Sequence, residues 1–379
     1  MLKLMHKSFI RHIMITMIAF MVVGLFALVT INVSFLSPIA RTLEEFSMTD
    51  MYYQALQSTT TPDTSHVITI VDMTELYERQ QIAKSIESIE ERTPKVLGVD
   101  VIFEGLKEDP QGDMMTEYVA KSYDNAVFSY RLLDYNSDQQ QFTNEVHSFF
   151  TQDISVKEGY TNIQRQLYGG IKREVSLSRP SCGEQKLSFV AAVANQYADK
   201  EIVSIDDNDL QIYFSPIHFP RLRYDSVVAH PELITDRIVL FGATGDEIDM
   251  HYTPIGKMSG VELLAYSINT LLMQQKVRTP SLLIMIIVSF ALVLLTQVLQ
   301  DQYEKRVEKR KNELIRSFAS SSVALGVITF LWMVVLMWGA FLLFSLTGWS
   351  LNLGWALSAI AFVDASRSFY DTCIKSLNS

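Results

Sequence analysis

The sequence predicts an α/β domain built on a mixed, mainly parallel sheet with flanking helices, lying outside the cytoplasm and joined to about four transmembrane α-helices. Three observations carry that expectation. The apolar residues of this 379-residue chain concentrate at its two ends, in runs long enough to cross a bilayer. The middle alternates short β-branched runs with amphipathic stretches of helical period, the pattern of βαβ units. The lysines and arginines between the apolar runs fall where short cytoplasmic loops would carry them.

A short tail, 1–9, precedes the first apolar block at 10–36 ("IRHIMITMIAFMVVGLFALVTINVSFL"), which has no acidic residue. It is longer than a signal-peptide core and shows no small-residue cleavage site after it, so it reads as a retained anchor. Residues 41–57 continue with helical spacing through Leu43, Phe46, Met51 and Ala55, a stalk that "TTTPDTS" then ends. The outer domain is expected over 37–280. Its first strand is "HVITIVD", almost wholly apolar from Val67 to Val71, as a strand buried on both faces should be. Residues 76–92 form an amphipathic helix through Leu76, Ile82, Ile86 and Ile89, and "KVLGVDVIFEG" (95–105) is the second buried strand. "NAVFSYRLL" (125–133) is a third. Residues 134–165 are polar without a period and read as an excursion from the core. A helix at 186–198, a strand at 209–216, a strand ending at Gly242 and a helix at 260–275 complete the domain. The last helix runs in sequence toward Pro280, which makes it the expected mechanical link to the next span.

Beyond Pro280 lie three further apolar segments, 281–300, 318–346 and 349–366, the last short and interrupted by Asn352. Between the first two, the loop 301–316 holds Lys305, Arg306, Lys309, Arg310, Lys311 and Arg316, and the N-terminal tail adds Lys3, Lys7 and Arg11. Both are expected in the cytoplasm, as is the tail 367–379. The protein is thus expected to be a multi-pass protein of the plasma (inner) membrane with a large periplasmic domain. The basic loop reads as topology determinant and contact for anionic membrane lipid. A net charge of −10 with no basic stripe elsewhere excludes nucleic acid as a partner. Cys182 and Cys373 fall on opposite sides of the membrane in a four-span topology and cannot pair. Cys182 then reads as a lone, half-buried, inert thiol.

The candidate chemistry lies at strand ends. Asp72 and Asp100 each close a parallel strand, and the loop "GATGDEIDMHYTP" (242–254) follows another, where open α/β sheets place their ligands. If those strands are neighbours, Asp72, Asp100 and Asp249 converge, with Glu104, Asp246 and His251 nearby. Two roles stand open for these aspartates. They cap helices and bind loop backbone, the favoured reading, or they line a ligand pocket. A divalent cation is then a candidate occupant, and no cofactor is named. Gly242, Gly245, Thr253 and Pro254 shape the loop. There is no G-x-S-x-G elbow, no H-E-x-x-H and no P-loop, so no catalytic residue is assigned and the chain is not expected to be an enzyme.

Four of these segments together resemble one family, the type-two CHASE domain, an extracytoplasmic sensory module associated with bacterial cyclases and histidine kinases. They are "HVITIVDMTEL" with Asp72, "KVLGVDVIFEG" with Asp100 and Phe103, "DRIVLFGATGDEIDMHYTP" with Gly242 and Asp249, and "SGVELLAYSINTLL". The family's Asp–Gly–x–x–Arg segment is represented only by "YGGIKREV" (168–175), and Leu264 stands where relatives often carry histidine. The resemblance covers nearly the whole chain and implies one membrane helix, the sensory domain and about three closing helices. No output domain follows the last helix, so it implies a sensor that signals through a separate signalling or membrane protein, with a homo-oligomer also open. The alternative is a structural or assembly subunit whose outer domain is a protein-binding surface.

Overall fold

The computed structural model describes residues 2–32, 48–152, 154–162, 170–274 and 277–378. Residues 33–36 of the first apolar block, 41–47 of the expected stalk, 163–165 of the polar excursion and 168–169 of "YGGIKREV" lie outside that set. Two compact units emerge, 1–52 with 278–379, and 53–277. Helix α1 spans Leu2–Asn32 and α2 spans Met48–Thr59, the part of the stalk that is described.

The unit 53–277 is organised by a nine-stranded mixed sheet. In chain order its elements are β1 (Ile68–Asp72), α3 (Arg79–Glu90), β2 (Val96–Val99), α4 (Pro110–Ser122), β3 (Ala126–Asn136), β4 (Gln141–Val146), β5 (Lys157–Tyr160), β6 (Ser178–Ser181), β7 (Glu184–Leu187) and α5 (Phe189–Ala198). Then come β8 (Arg221–Arg223), β9 (Ile238–Gly242), the hairpin β10 (Met250–Thr253) with β11 (Gly256–Ser259), and α6 (Gly260–Leu272). The sheet order is β8-β1-β9-β2-β3-β4-β6-β7, with β5 also on β3. From β8 to β3 every pairing is parallel. Those strands are the β-branched runs of the sequence, and they are buried because helices cover both faces. β1 and β2 are parallel but not adjacent. The late strand β9 lies between them and pairs with both, Gly242 opposite Asp72 and Phe241 opposite Val99.

On one face, α3 and α4 pack Ile82, Ile86, Ile89, Val119 and Ala120 against Val71, Leu97, Val99 and Phe241. A buried ion pair between Arg79 and Asp113 ties those helices together, and the Arg79 guanidinium lies 4.9 Å from the Phe149 ring centre. α5 starts at Ser188, whose hydroxyl accepts the Ala191 N–H at 3.2 Å, so the helix begins later than its apolar pattern implied. Gly159 of β5 is what lets α5 approach, since a Cβ there would collide with the backbone of Ser188 and Phe189.

Three expectations need correction here. The polar excursion 134–165 is part of the sheet: it contributes the end of β3, β4 and β5, and it buries Phe150 and Tyr160. Its strands run along half-exposed sheet where polar side chains suffice, and its core contribution comes from a few aromatic residues. The strand expected at 209–216 is only Asp209–Gln211, paired with Glu174–Ser176 outside the main sheet. Cys182 is exposed, on the β6–β7 turn at φ +50°.

Among its described residues the other unit holds three helices long and apolar enough to cross a membrane, through Phe9–Phe26 of α1, α7 (Leu282–Glu308) and α9 (Ser322–Thr347). The fourth expected span, 349–366, is not one of them. It is divided at Phe362 into α10 (Gly354–Ala361) and α11 (Val363–Asn378). α10 alone reaches only about 12 Å, short of the roughly 30 Å hydrocarbon layer. α11 carries Asp364, Arg367, Asp371 and Lys375, so neither is a membrane-length apolar helix, although the two in succession carry the chain from Ser350 to Arg367. The small residues Ala356 and Ala359 are fully buried, and Ala359, Ile360 and Val363 pack with Ile15, Ala19 and Val293. Part of the segment's apolar character thus belongs to helix packing, while Trp355 stays exposed.

Both ends of this unit are tied. Arg278 N–H donates to Gly348 C=O and Ser350 N–H to Arg278 C=O, each at 2.8 Å. At the opposite ends of α7 and α1, Asp301 meets His12 at 2.9 Å and Arg367 at 3.0 Å. Arg367 also meets Glu304 at 2.8 Å, and Arg11 meets Asp371 at 2.9 Å. Arg367 therefore pairs across to α7, and its own helix neighbour Asp364 is not its partner. The loop expected at 301–316 narrows to residues 309–312 between α7 and α8 (Glu313–Ala319): Lys305 and Arg306 lie on α7 and Arg316 on α8, which exposes Leu314, Ile315 and Phe318.

Candidate functional site

The carboxyl ends of β1, β9 and β2 lie side by side, so the sheet brings the sequence-predicted residues to one edge and then sorts them. Neighbouring strands are about 4.8 Å apart, which leaves Asp72 and Asp100 on either side of Gly242, each with its own partners.

Asp72 is occupied by the loop. Its Oδ1 accepts the Thr74 N–H at 3.0 Å, the Thr74 hydroxyl at 2.5 Å and the Thr244 N–H at 3.0 Å. Thr74 Oγ1 in turn accepts the N–H of Thr244 and of Gly245, and a Cβ on Gly245 would press on Thr74. Burial pushes the Asp72 carboxyl up, but these donated hydrogen bonds outweigh it and hold it below the usual range. This is a turn-binding aspartate.

Asp100 is placed differently. It follows β2, with its N–H donating to Phe241 C=O at 2.9 Å, and its side chain is half-buried beside Gly242. A Cβ on Gly242 would crowd Asp100 and Val261 together, so glycine is what allows α6 to approach the strand ends here. Desolvation, reinforced by the charge of Asp249, pushes the Asp100 carboxyl up to about 7, and the Ser129 hydroxyl offsets part of the rise. By hydrogen-bond geometry Ser129 Oγ and Ser259 Oγ are buried hydroxyls without a partner among the described residues.

Asp249 stands at the N-terminus of α6. One oxygen accepts the Gly260 N–H at 3.1 Å and the other meets His251 Nε2 at 3.3 Å. A Cβ at 260 would strike the Asp249 carboxylate, so glycine there is what lets that side chain sit on the helix start. The helix N-terminus favours that negative charge. Asp246 caps the short turn Glu247–Asp249, accepting the Ile248 N–H at 2.9 Å. Thr253 Oγ1 closes the β10–β11 turn on Gly256 C=O at 2.7 Å, and Pro254 C=O accepts from Gln54. Glu104 is turned to Arg131 and takes no part. The edge thus unites Asp100, Asp249 and His251, while Asp72, Asp246, Gly245, Thr253 and Pro254 build the loop. Among the described residues no three His, Cys, Asp or Glu side chains converge as a metal-binding set.

Ser129, Ser259 and Thr74 were not anticipated from the sequence, and neither was His147, which lies between two glutamates elsewhere on the sheet. A polar residue inside an apolar strand was the available signal for Ser129. For His147 it was the alternation of Glu145 with His147 at the end of β4.

The edge thus sits at the strand ends of a mixed, mainly parallel sheet, in a chain that also carries membrane-length apolar helices. The chain belongs to the CHASE2 domain family, whose model matches residues 19–299. No curated protein and no solved structure matches it.

Proposed function

We propose that this chain is a membrane-anchored sensor whose outer domain reads a stimulus at the strand-end edge formed by Asp100, Asp249 and His251, and which passes the change to a separate signalling protein. The observation that carries it is the pair Asp100 and Asp249. One carboxyl is held close to neutrality and the other sits on the first turn of α6, so a ligand or cation that changes their charge state acts directly on a helix. α6 leads along the chain to α7, the first span after the domain.

The membrane placement rests on three apolar helices and on the distribution of charge. His12, Asp301, Arg367 and Asp371 gather at one end of the helical unit, and Arg278 with the 348–350 turn at the other. That supports a cytoplasmic position for the N-terminal tail, the basic loop and α11. The loop's cations, with exposed Leu314, Ile315 and Phe318 beside them, suit anionic headgroups and the partner alike. The domain does no chemistry in this reading.

The test pairs purification with substitution. Gentle-detergent purification from native membranes should recover a signalling protein in stoichiometric amount. D100N and D249A should abolish its response without lowering expression or recovery. Full response in both variants would remove the edge from the reading.

A further inference from the structure

We infer that the outer domain carries a proton-operated latch, made by His147 clamped between Glu145 and Glu158 at the point where the sheet forks. This rests on the sensor reading only in making the proton a stimulus.

The fork is a feature of β3. Its first half, Val127–Tyr130, pairs in parallel with β5, and its second half, Arg131–Asn136, pairs antiparallel with β4. The two branches diverge at Tyr130 and Arg131, and no backbone ladder joins β4 to β5 there. His147 bridges them. Its Nε2 lies 2.9 Å from a Glu145 carboxylate oxygen at the end of β4, and its Nδ1 lies 2.9 Å from a Glu158 oxygen on β5. The imidazole is stacked on the Tyr130 ring of β3, centroids 4.4 Å apart and planes 16° from parallel.

With both glutamates ionised, this arrangement calls for imidazolium. An ionised carboxylate only accepts, so a ring with a carboxylate on each nitrogen must donate from both, and only imidazolium can. Neutral histidine would turn a lone pair toward one glutamate. That loss is not easily made good by water, because the Glu145 and Glu158 side chains are only 13% and 16% exposed. The second oxygen of Glu158 is buried with no partner among the described residues. The remaining titratable groups reinforce this. Tyr130 is pushed up by burial and by both glutamates, so its face stays neutral and electron-rich toward the cation. From the β6–β7 hairpin, Lys186 acts on Glu145, and Cys182 acts on Tyr130. Glu145 is held low in spite of its burial, by Ser181 and His147. The Glu158 hydrogen bond, with Glu145 in support, raises His147 against its own desolvation.

The latch is wired to the candidate edge. Ser148 Oγ accepts the Phe103 N–H at 3.1 Å and Phe149 N–H donates to Phe103 C=O at 3.0 Å, just past Asp100. Releasing His147 therefore loosens the two hydrogen bonds that hold Phe103 beside that edge.

The sign follows from the raised histidine. Its stabilising contribution is complete below the unfolded value of about 6.5 and is lost as pH rises through the higher folded value. The latch is closed in acid and opens toward alkaline pH. Asp100 and Glu90, both pushed up to about 7, lose their contribution at lower pH, between their unfolded values near 4 and 7. The latch is therefore read as a difference between wild type and a His147 variant.

The experiment is hydrogen–deuterium exchange of the full-length protein in detergent, corrected for intrinsic pH dependence, at pH 6 and pH 8.5. The readout is peptides covering 126–136, 141–149 and 157–160, with 101–105 for the edge. In wild type the fork peptides should exchange at least roughly tenfold faster at the higher pH, the effect of losing one charge-assisted hydrogen bond. H147Q should exchange fast at both. Equal pH dependence in wild type and H147Q overturns the latch, as does a pH-independent wild type. Should H147Q fail to fold, E158Q serves: it must move the transition to lower pH, and an unmoved transition is equally fatal. A failed latch with intact D249A effects on partner response leaves the sensor reading standing. A working latch in a protein whose Asp100 and Asp249 variants respond fully removes the edge alone.

Discussion

Asp72 and Asp100 occupy equivalent positions at the ends of the two parallel strands that flank β9, yet their surroundings give them opposite electrostatics. Asp72 receives three hydrogen bonds, and Asp100 receives desolvation and a second carboxylate. Replacing Asp72 with alanine should therefore destabilise the domain by about 1–3 kcal/mol, the cost of leaving loop donors unpaired, measured by denaturant titration. Asp100→Asn should do the reverse. A carboxyl raised in the folded state contributes most below its unfolded value and loses that contribution as pH climbs toward about 7. At pH 4 the variant should match wild type. At pH 8 it should be more stable by about 1–2 kcal/mol, a value discounted for the solvent that reaches this half-buried group. A less stable D100N at pH 8 would mean that the ionised form is the one the fold favours.

At the scale of elements, legibility in the sequence followed burial. β1, β2 and β9 were readable because a parallel strand covered on both faces must be apolar throughout. That β9 inserts between the other two was not readable, since pairing order is set by contacts far apart in sequence. β4 and β5 escaped notice because their side chains are mixed and half-exposed, so no period distinguishes them from loop. α10 was misread for the converse reason: apolar content is the same whether a helix faces lipid or its neighbours, and Ala356 and Ala359 belong to the second case. Of the site, the strand-end position of each aspartate was legible, but not which one the loop would consume. Gly159 gives this scale its test. Its missing Cβ is what admits the start of α5 against β5, and the atoms it would strike are backbone, which cannot swing aside. G159A should cost about 1–3 kcal/mol through forced displacement, visible as a lowered denaturation midpoint. A neutral outcome would show that α5 and β5 can separate freely.

For the whole molecule, the decisive quantity is which side of the bilayer each part occupies, because a sensor needs its edge outside and its basic loop inside. Charge supplies the expectation: the cations of the N-terminal tail and of 301–316 are retained in the cytoplasm. The packing of α10 and α11 changes the inference for the last segment but not for its end, since Arg367 and Asp371 are held beside Asp301 and Arg11. The two cysteines report on this directly, being free and exposed. In intact cells a membrane-impermeant maleimide should label the C373S variant, through Cys182. The C182S variant should stay unlabelled until the membrane is permeabilised, because Cys373 lies on α11. Labelling of Cys373 in intact cells would place α11 outside together with Asp301 and the basic loop. The charge argument and the partner at that loop would then fall together.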